Sequence, residues 1–220
     1  MNTALGRLAE ARRVARLNDE INSLLTPHHR VHGIAARVRV DELAGSWEVI
    51  RDLQTDAESR VAANVDTPCS DNVFCLLVCA LACAELGNAS EAARLERAAD
   101  ELGFEGYVGD HAGPRIRLAL SRGELGLVDE LLRALQDQAL RGRPSLTTAA
   151  ARIDGLVALG RAWEVEEEAE GVLLCPYLEP FGLRALGVAN DDKALLERAV
   201  ERFTALGLQW HGAQTPLLSA

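Results

Sequence analysis

The chain is poor in the residues that most often anchor chemistry or a membrane. Aromatic side chains make up 4% of its 220 residues, methionine occurs once, and a single lysine, Lys193, stands beside 22 arginines. One lysine removes most candidates for a Schiff base or a phosphate-gripping ammonium. The P-loop pattern G-x-x-x-x-G-K-[ST] is missing, which excludes that route to nucleotide chemistry. No run of 18 apolar residues occurs, so no membrane-spanning helix is expected. The arginine-rich N-terminus lacks the apolar segment and cleavage site of a secretory leader, and the cytoplasm is the expected location. Period-two runs of β-branched and aromatic residues are missing too, which argues against a sheet. The five cysteines are an odd number, and four crowd into residues 69–83, unlike a secreted disulfide framework.

Alanine, leucine and arginine dominate instead, with 48% apolar residues overall. That composition suits close helix–helix packing. The net charge of −10 opposes phosphate neutralisation, so nucleic acid is not an expected partner. The charge is uneven. Residues 1–40 carry Arg7, Arg12, Arg13, Arg16, Arg30, Arg37 and Arg39 against Glu10, Asp19 and Glu20, leaving −14 for the rest. Such asymmetry suits a solvated helix face, or orients one molecule on another.

A turn recurs through this background. An apolar stretch runs into a glycine and an amphipathic stretch restarts at Leu43-Ala44-Gly45-Ser46-Trp47, Glu85-Leu86-Gly87-Asn88, Ser121-Arg122-Gly123-Glu124 and Leu159-Gly160-Arg161-Ala162-Trp163, with a looser copy from Leu186-Gly187 to Asp191. The glycines are 42, 36, 37 and 27 residues apart. A period in this range marks stacked helical hairpins, each of which hides its apolar face on its neighbour.

Along the chain, Leu5, Leu8, Val14, Leu17, Ile21, Leu24 and Leu25 fall near one side of a first helix with a basic outer face. Thr26 should cap the next helix and Pro27 should open it. Asp71–Leu86 is almost wholly apolar and should be the most buried helix. Asn88 with Glu91 reads as a capping box. Gly103, Gly106, Gly109 and Gly113 make the loosest loop, after which Pro114 is expected to open a helix. A last short helix should start near Leu208 and stop by Thr215, since the residue before a proline resists the helical conformation.

Several groups of residues could carry chemistry. Cys75, Cys79 and Cys83 lie at i, i+4 and i+8 on one helix face, with Cys69 just before. They lack the paired C-x-x-C of zinc sites, and an apolar helix leaves thiols inert, so they read as packing. Redox activity of this group stays open. His28 and His32 share a helix face in H-H-x-x-H, but position 29 is histidine where a metalloprotease has glutamate, and no acidic ligand is close in sequence. Glu164, Glu166, Glu167, Glu168 and Glu170 form a solvated face, or a dock for an arginine-rich partner. Tyr107, Asp110 and His111 sit in the glycine-rich loop, which follows no strand and so is no dinucleotide fingerprint. Trp47 and Trp163 follow equivalent turns, and with Trp210 they are expected to pack between repeats. No residue is assigned to catalysis, cofactor binding or metal binding.

The C-terminal wording is the most specific. Tyr177-Leu178-Glu179-Pro180-Phe181-Gly182-Leu183-Arg184-Ala185-Leu186-Gly187 precedes Ala199-Val200-Glu201-Arg202-Phe203 and Leu206-Gly207-Leu208-Gln209-Trp210-His211. This resembles the end of the tetratricopeptide-like region of large bacterial signalling ATPases and of adenylate-cyclase-linked or LuxR-type regulators. Arg94–Gly103 and Arg115–Leu120 are similar to earlier repeats of that type. The resemblance spans about residues 40–215 and implies an architecture, with no ATPase or cyclase domain alongside it.

The expectation is therefore an all-α, right-handed superhelix of about five tetratricopeptide-like hairpins, an α-α solenoid. It is one domain over 1–220, with N-terminal helices in 1–44, hairpins in 45–207 and a capping helix in 208–220. The expected function is a non-enzymatic interaction module from a bacterial signalling or transcription-regulatory setting, holding a protein or peptide in a concave groove. The alternative is a sensor for a small molecule or signalling peptide, and a thiol, metal or enzymatic site comes third. No cofactor is expected, and homo-oligomerisation is left open.

Overall fold

The computed structural model describes residues 2–103, 108–138 and 144–215. Among them there are twelve helices and no strand: α1 Leu8–Ser23, α2 Pro27–Ala44, α3 Trp47–Ala63, α4 Ser70–Glu85, α5 Ala89–Glu101, α6 Val108–Ser121, α7 Leu125–Gln138, α8 Leu146–Ala158, α9 Ala162–Val172, α10 Glu179–Ala189, α11 Lys193–Ala205 and α12 Gln209–Ala213. None is long and apolar enough to cross a membrane.

Each recurring glycine closes one helix and starts the next. Gly45, Gly87, Gly123 and Gly160 all take positive φ, between 65° and 80°, which a side chain would strain. The looser fifth copy uses a different residue. Gly187 lies inside α10, packed on Leu196, and Asp191 makes the turn at φ 51° while Asp192 caps α11. An Asp tolerates this conformation because it is short and polar.

These turns pair α2 with α3, α4 with α5, α6 with α7, α8 with α9, and α10 with α11. The even-numbered helices α2, α4, α6, α8 and α10 each pack on the next; the odd-numbered helices lie against their own partners, and α3, α7 and α9 also pack on the even-numbered helix that follows each of them. Helix α1 packs on α2, and α12 packs on α11 and reaches back to α2. One apolar core spans α2–α5 and takes in Leu118 of α6, with Trp210 of α12 against it, and another joins α6–α11 and Leu208 to Leu8, Leu43 and Ala44. Helix α4 is buried on every side from Asn72 to Cys83, as its composition requires.

Some local expectations hold and some do not. Asn88 accepts a hydrogen bond from the Glu91 backbone N–H at 3.3 Å, the first half of a capping box. Thr26 precedes α2, and Pro27 opens it, but the Thr26 hydroxyl bonds His29 Nδ1 instead of the helix backbone. Pro114 does not open a helix: α6 begins at Val108 and carries Pro114 inside it. Packing outweighs the lost N–H there, because Gly113 lets α6 touch the Thr148 backbone, where a Cβ would sit 3.0 Å away.

Candidate functional site

The even-numbered helices converge on a polar hub. Arg184 of α10 donates to Asp154 of α8 at 2.6 Å and to the His211 carbonyl of α12 at 2.9 Å. Arg117 of α6 approaches the other Asp154 oxygen at 3.4 Å. The Tyr177 hydroxyl donates to the Leu43 carbonyl at 2.8 Å, and His211 Nε2 reaches the same oxygen at 3.2 Å. A carbonyl accepts, so His211 carries its proton on Nε2 and leaves Nδ1 buried without a hydrogen bond. Phe181 and Phe203 close over Arg184, their ring centres 5.3 and 5.1 Å from its guanidinium carbon.

Burial sets the charge states here. It holds His211 well below the usual histidine range, with Arg117 and Arg184 pushing the same way. It lifts Glu42 of α2 to about 7 against the pull of Arg117 and Arg39. Thr147 lies close enough to lower Glu42 slightly, but neither carboxylate oxygen meets a partner in hydrogen-bonding geometry. A cleft of about 410 Å³ opens onto this hub, lined by Glu85, Arg117, Ser121, Asp154, Arg184 and Trp210 among others. The hub was not singled out in the sequence. The signal was an arginine inside an otherwise uncharged helix, Arg184 in Phe181–Ala189, and another between Ile116 and Leu118.

The first helix corrects an expectation. Its apolar side does not face inward. Helix α1 buries Leu8, Ala11, Ala15 and Asp19, and exposes Val14, Leu17 and Ile21 by 46, 50 and 55%, with its C-cap Leu24 exposed by 83%. Polar pairing and small residues set this facing. Asp19 is clamped by Arg37 of α2 at 3.0 Å and by Arg60 of α3. Arg12 bonds Asp41 and Ser46, each at 2.7 Å. Gly33 leaves room for the contact, since a Cβ there would lie 2.7 Å from the Asp19 carboxylate. Arg13 and Arg16 are exposed beside the apolar stripe.

The cysteine group divides. Cys75, Cys79 and Cys83 are buried along α4, and Cys69 sits at its N-cap. Burial raises the Cys75 thiol well above its usual range and Cys79 to about 12, so neither supplies a thiolate near neutrality. Cys83 Sγ donates to Gln54 Oε1 at 3.3 Å. Cys69 instead joins His28 and His32, with one donor atom from each lying within 4.8 Å of the others. The sequence placed the two histidines together. It missed the third member because Cys69 arrives 37 residues after His32, across a tertiary contact.

The remaining candidates scatter. Glu164 pairs with Arg161 at 3.4 Å and Glu168 with Arg152 at 3.0 Å, while Glu166, Glu167 and Glu170 are exposed. Trp47 is buried edge-on against Trp210, with ring centres 5.1 Å apart, whereas Trp163 is 68% exposed and does not pack between repeats. The turns match, but the neighbours that receive the indole do not. His111 Nε2 meets the Ser70 carbonyl at 2.9 Å. Tyr107 and the Asp110 side chain lie outside the described residues. No protein-family model, curated protein or solved structure matches this chain.

Proposed function

We propose that the chain is a non-catalytic helical-repeat module that binds another protein. In this reading the five pairs from α2–α3 to α10–α11 form a right-handed, tetratricopeptide-like superhelix, with even-numbered helices inside. The recurrent left-handed glycine turn and the row α2–α4–α6–α8–α10 support it. The resemblance of the C-terminal wording to bacterial regulators supports a cytoplasmic signalling or transcription-regulatory setting.

The observation that carries the proposal is the exposed stripe Val14, Leu17 and Ile21 on α1, continued by its C-cap Leu24. Large apolar residues along one helix face are what a helix-in-groove or helix-on-helix contact needs. A groove of about 370 Å³ runs beside the stripe between α1 and α2, with Val14, Ala36 and Val40 in its walls. In this reading α12 and the Tyr177 and His211 bonds to Leu43 fill the inner side, where a partner would have to displace them; the α1 face asks for no such rearrangement. The occupant is an amphipathic helix of another protein, with an acidic flank to meet Arg16, since Arg13 already pairs with Glu10 at 2.7 Å.

A displayed library of single-helix peptides, panned on the intact chain, tests this. Retained helices should carry an apolar stripe and an acidic flank, and the double variant Leu17→Glu/Ile21→Glu should lose them. Equal retention by that variant overturns the α1 face as the docking site.

The hub favours a second reading, in which the module senses a small ligand. A cleft of about 410 Å³ with converging Arg117, Asp154 and Arg184 has the size and polarity of a small-molecule site.

A further inference from the structure

The corner where α2 begins beside α4 holds three metal-type donors, and their surroundings fix which atoms face one another. His28 and His32 sit one turn apart at the start of α2. Cys69 ends the α3–α4 connection as the N-cap of α4. His28 Nδ1 meets the Thr67 carbonyl at 3.2 Å, and His32 Nδ1 meets Asp71 Oδ2 at 2.6 Å. Both partners only accept, so both δ nitrogens carry the proton. In the neutral rings each Nε2 is then a bare lone pair. Those two nitrogens face each other at 3.0 Å, and Cys69 Sγ lies 4.0 Å from His32 Nε2. Two lone pairs at that distance repel unless a positive charge is shared between them.

From this geometry we infer that His28 Nε2, His32 Nε2 and Cys69 Sγ form a binding site for a borderline-soft divalent cation, Zn²⁺ above all, with water as the fourth ligand. Imidazole and thiolate are the donors zinc prefers. Zinc–nitrogen bonds of about 2.0–2.1 Å and a zinc–sulfur bond of about 2.3 Å in a tetrahedron separate N from N by roughly 3.3 Å and N from S by roughly 3.6 Å. The separations of 3.0 Å between the nitrogens and 4.0 Å from His32 Nε2 to the sulfur need a few tenths of an ångström of adjustment, and the third pair, His28 with Cys69, lies within 4.8 Å and closes around the ion. Metal binding displaces the thiol proton, which Cys69 Sγ otherwise donates to Asn72 Oδ1 at 3.3 Å.

The supports around the donors match what zinc sites use. A carboxylate behind one histidine and a carbonyl behind the other set the tautomers and hold the rings. Asp71 is itself held by Arg39 through its other oxygen at 2.9 Å. Thr67 is held by Asn64, which donates to the Thr67 carbonyl at 2.9 Å and accepts from its hydroxyl at 2.6 Å. The same Asn64 amide reaches Asn72 Oδ1 at 3.0 Å, which also receives the Cys69 backbone N–H. The loop that delivers the cysteine is thus pinned at both ends. His32 is partly exposed, which gives the ion a path and leaves its fourth position to solvent.

The test is a titration of the purified full chain with Zn²⁺ against a chromophoric chelator, repeated with Co²⁺ as a spectroscopic probe. One ion per chain is expected, with a thiolate-to-cobalt charge-transfer band. Cys69→Ser and His32→Ala should each weaken zinc at least 100-fold and remove or distort that band. Asp71→Asn should weaken it about 10–100-fold, acting as a positioning residue. Serine is a favoured N-cap, so Cys69→Ser keeps α4 intact, and circular dichroism checks this. Cys79→Ser, deep in α4, should leave zinc affinity unchanged. No zinc uptake by the wild-type chain, or equal affinity in Cys69→Ser and His32→Ala, overturns the site.

Discussion

Toward the N-terminus, Asp19 of α1 is clamped between Arg37 and Arg60; further along, Asp154 of α8 is clamped between Arg117 and Arg184. The device is the same and the outcomes are opposite. Around Asp154 the clamp coincides with the apolar faces of its helices, so Ile153, Phe181, Leu183 and Phe203 are buried with it. Around Asp19 it opposes the apolar periodicity, and the clamp decides. Helix α1 turns its carboxylate and alanines inward and leaves Val14, Leu17 and Ile21 about half exposed. Fully burying such a side chain is worth about 1.5–3 kcal/mol, and a charge-assisted hydrogen bond about the same. Asp19 makes two of them, Arg12 two more, and Gly33 allows the close approach of Asp19. Where polar and apolar preferences conflict, the count of paired charges chooses the facing.

The sharpest way to break this comparison is to remove one member from each clamp. Arg184 is 3% exposed, so Arg184→Ala leaves Asp154 with one distant arginine and strands the His211 carbonyl. The expected cost is about 3–5 kcal/mol, read from denaturant midpoints. Asp19→Ala leaves two arginines that can reach solvent, and should cost about 1.5–3 kcal/mol. Equal costs would mean that burial does not separate the two clamps.

The next largest effect belongs to Glu42, beside the inner clamp. Its ordinary value is 4.5 and the fold lifts it to about 7. Between those values the folded chain holds a proton that the unfolded chain has released. The Glu42 contribution therefore makes the fold lose stability as pH rises through this window, with the full cost present above about pH 7. Glu42→Gln should remove that loss. Its advantage over the wild type should grow from near zero at pH 4.5 toward roughly 3 kcal/mol at pH 8. His211 acts in the opposite direction at lower pH, being neutral in the fold and protonated in the unfolded chain, but it is common to both proteins and cancels in the difference. A flat difference across this range would show that water reaches Glu42 and that the hub is less closed than its burial indicates.

The features legible in the sequence were those set locally. Pro27 at the head of α2, the left-handed glycines and the uncharged run of α4 depend on near neighbours, and the helices begin and end where those residues place them. What was not legible depends on which distant group arrives. Trp47 and Trp163 follow similar turns, yet Trp47 is met by Trp210 and Trp163 has no comparable neighbour. Cys69 reads as one of four cysteines near α4, and its meeting with His28 and His32 exists only once α2 and α4 lie side by side. Arg117, Asp154 and Arg184 come from three separate helices, and no spacing along the chain connects them.

The smallest expected effect bears most directly on the docking face. If α1 truly packs through its small side, then Ala11→Leu should be costly and Leu17→Ser should not. Ala11 is 6% exposed and packs with Ala15 against Val40 of α2, so three added carbons must spread that contact or turn into the adjoining groove, and should cost about 1–3 kcal/mol. Leu17→Ser removes a half-exposed side chain and should shift stability by no more than about 0.5 kcal/mol. Thermal and denaturant melts of both variants measure the contrast. If Leu17→Ser costs as much as Ala11→Leu, the apolar stripe is already satisfied within the folded chain and nothing is left over for a partner helix to cover.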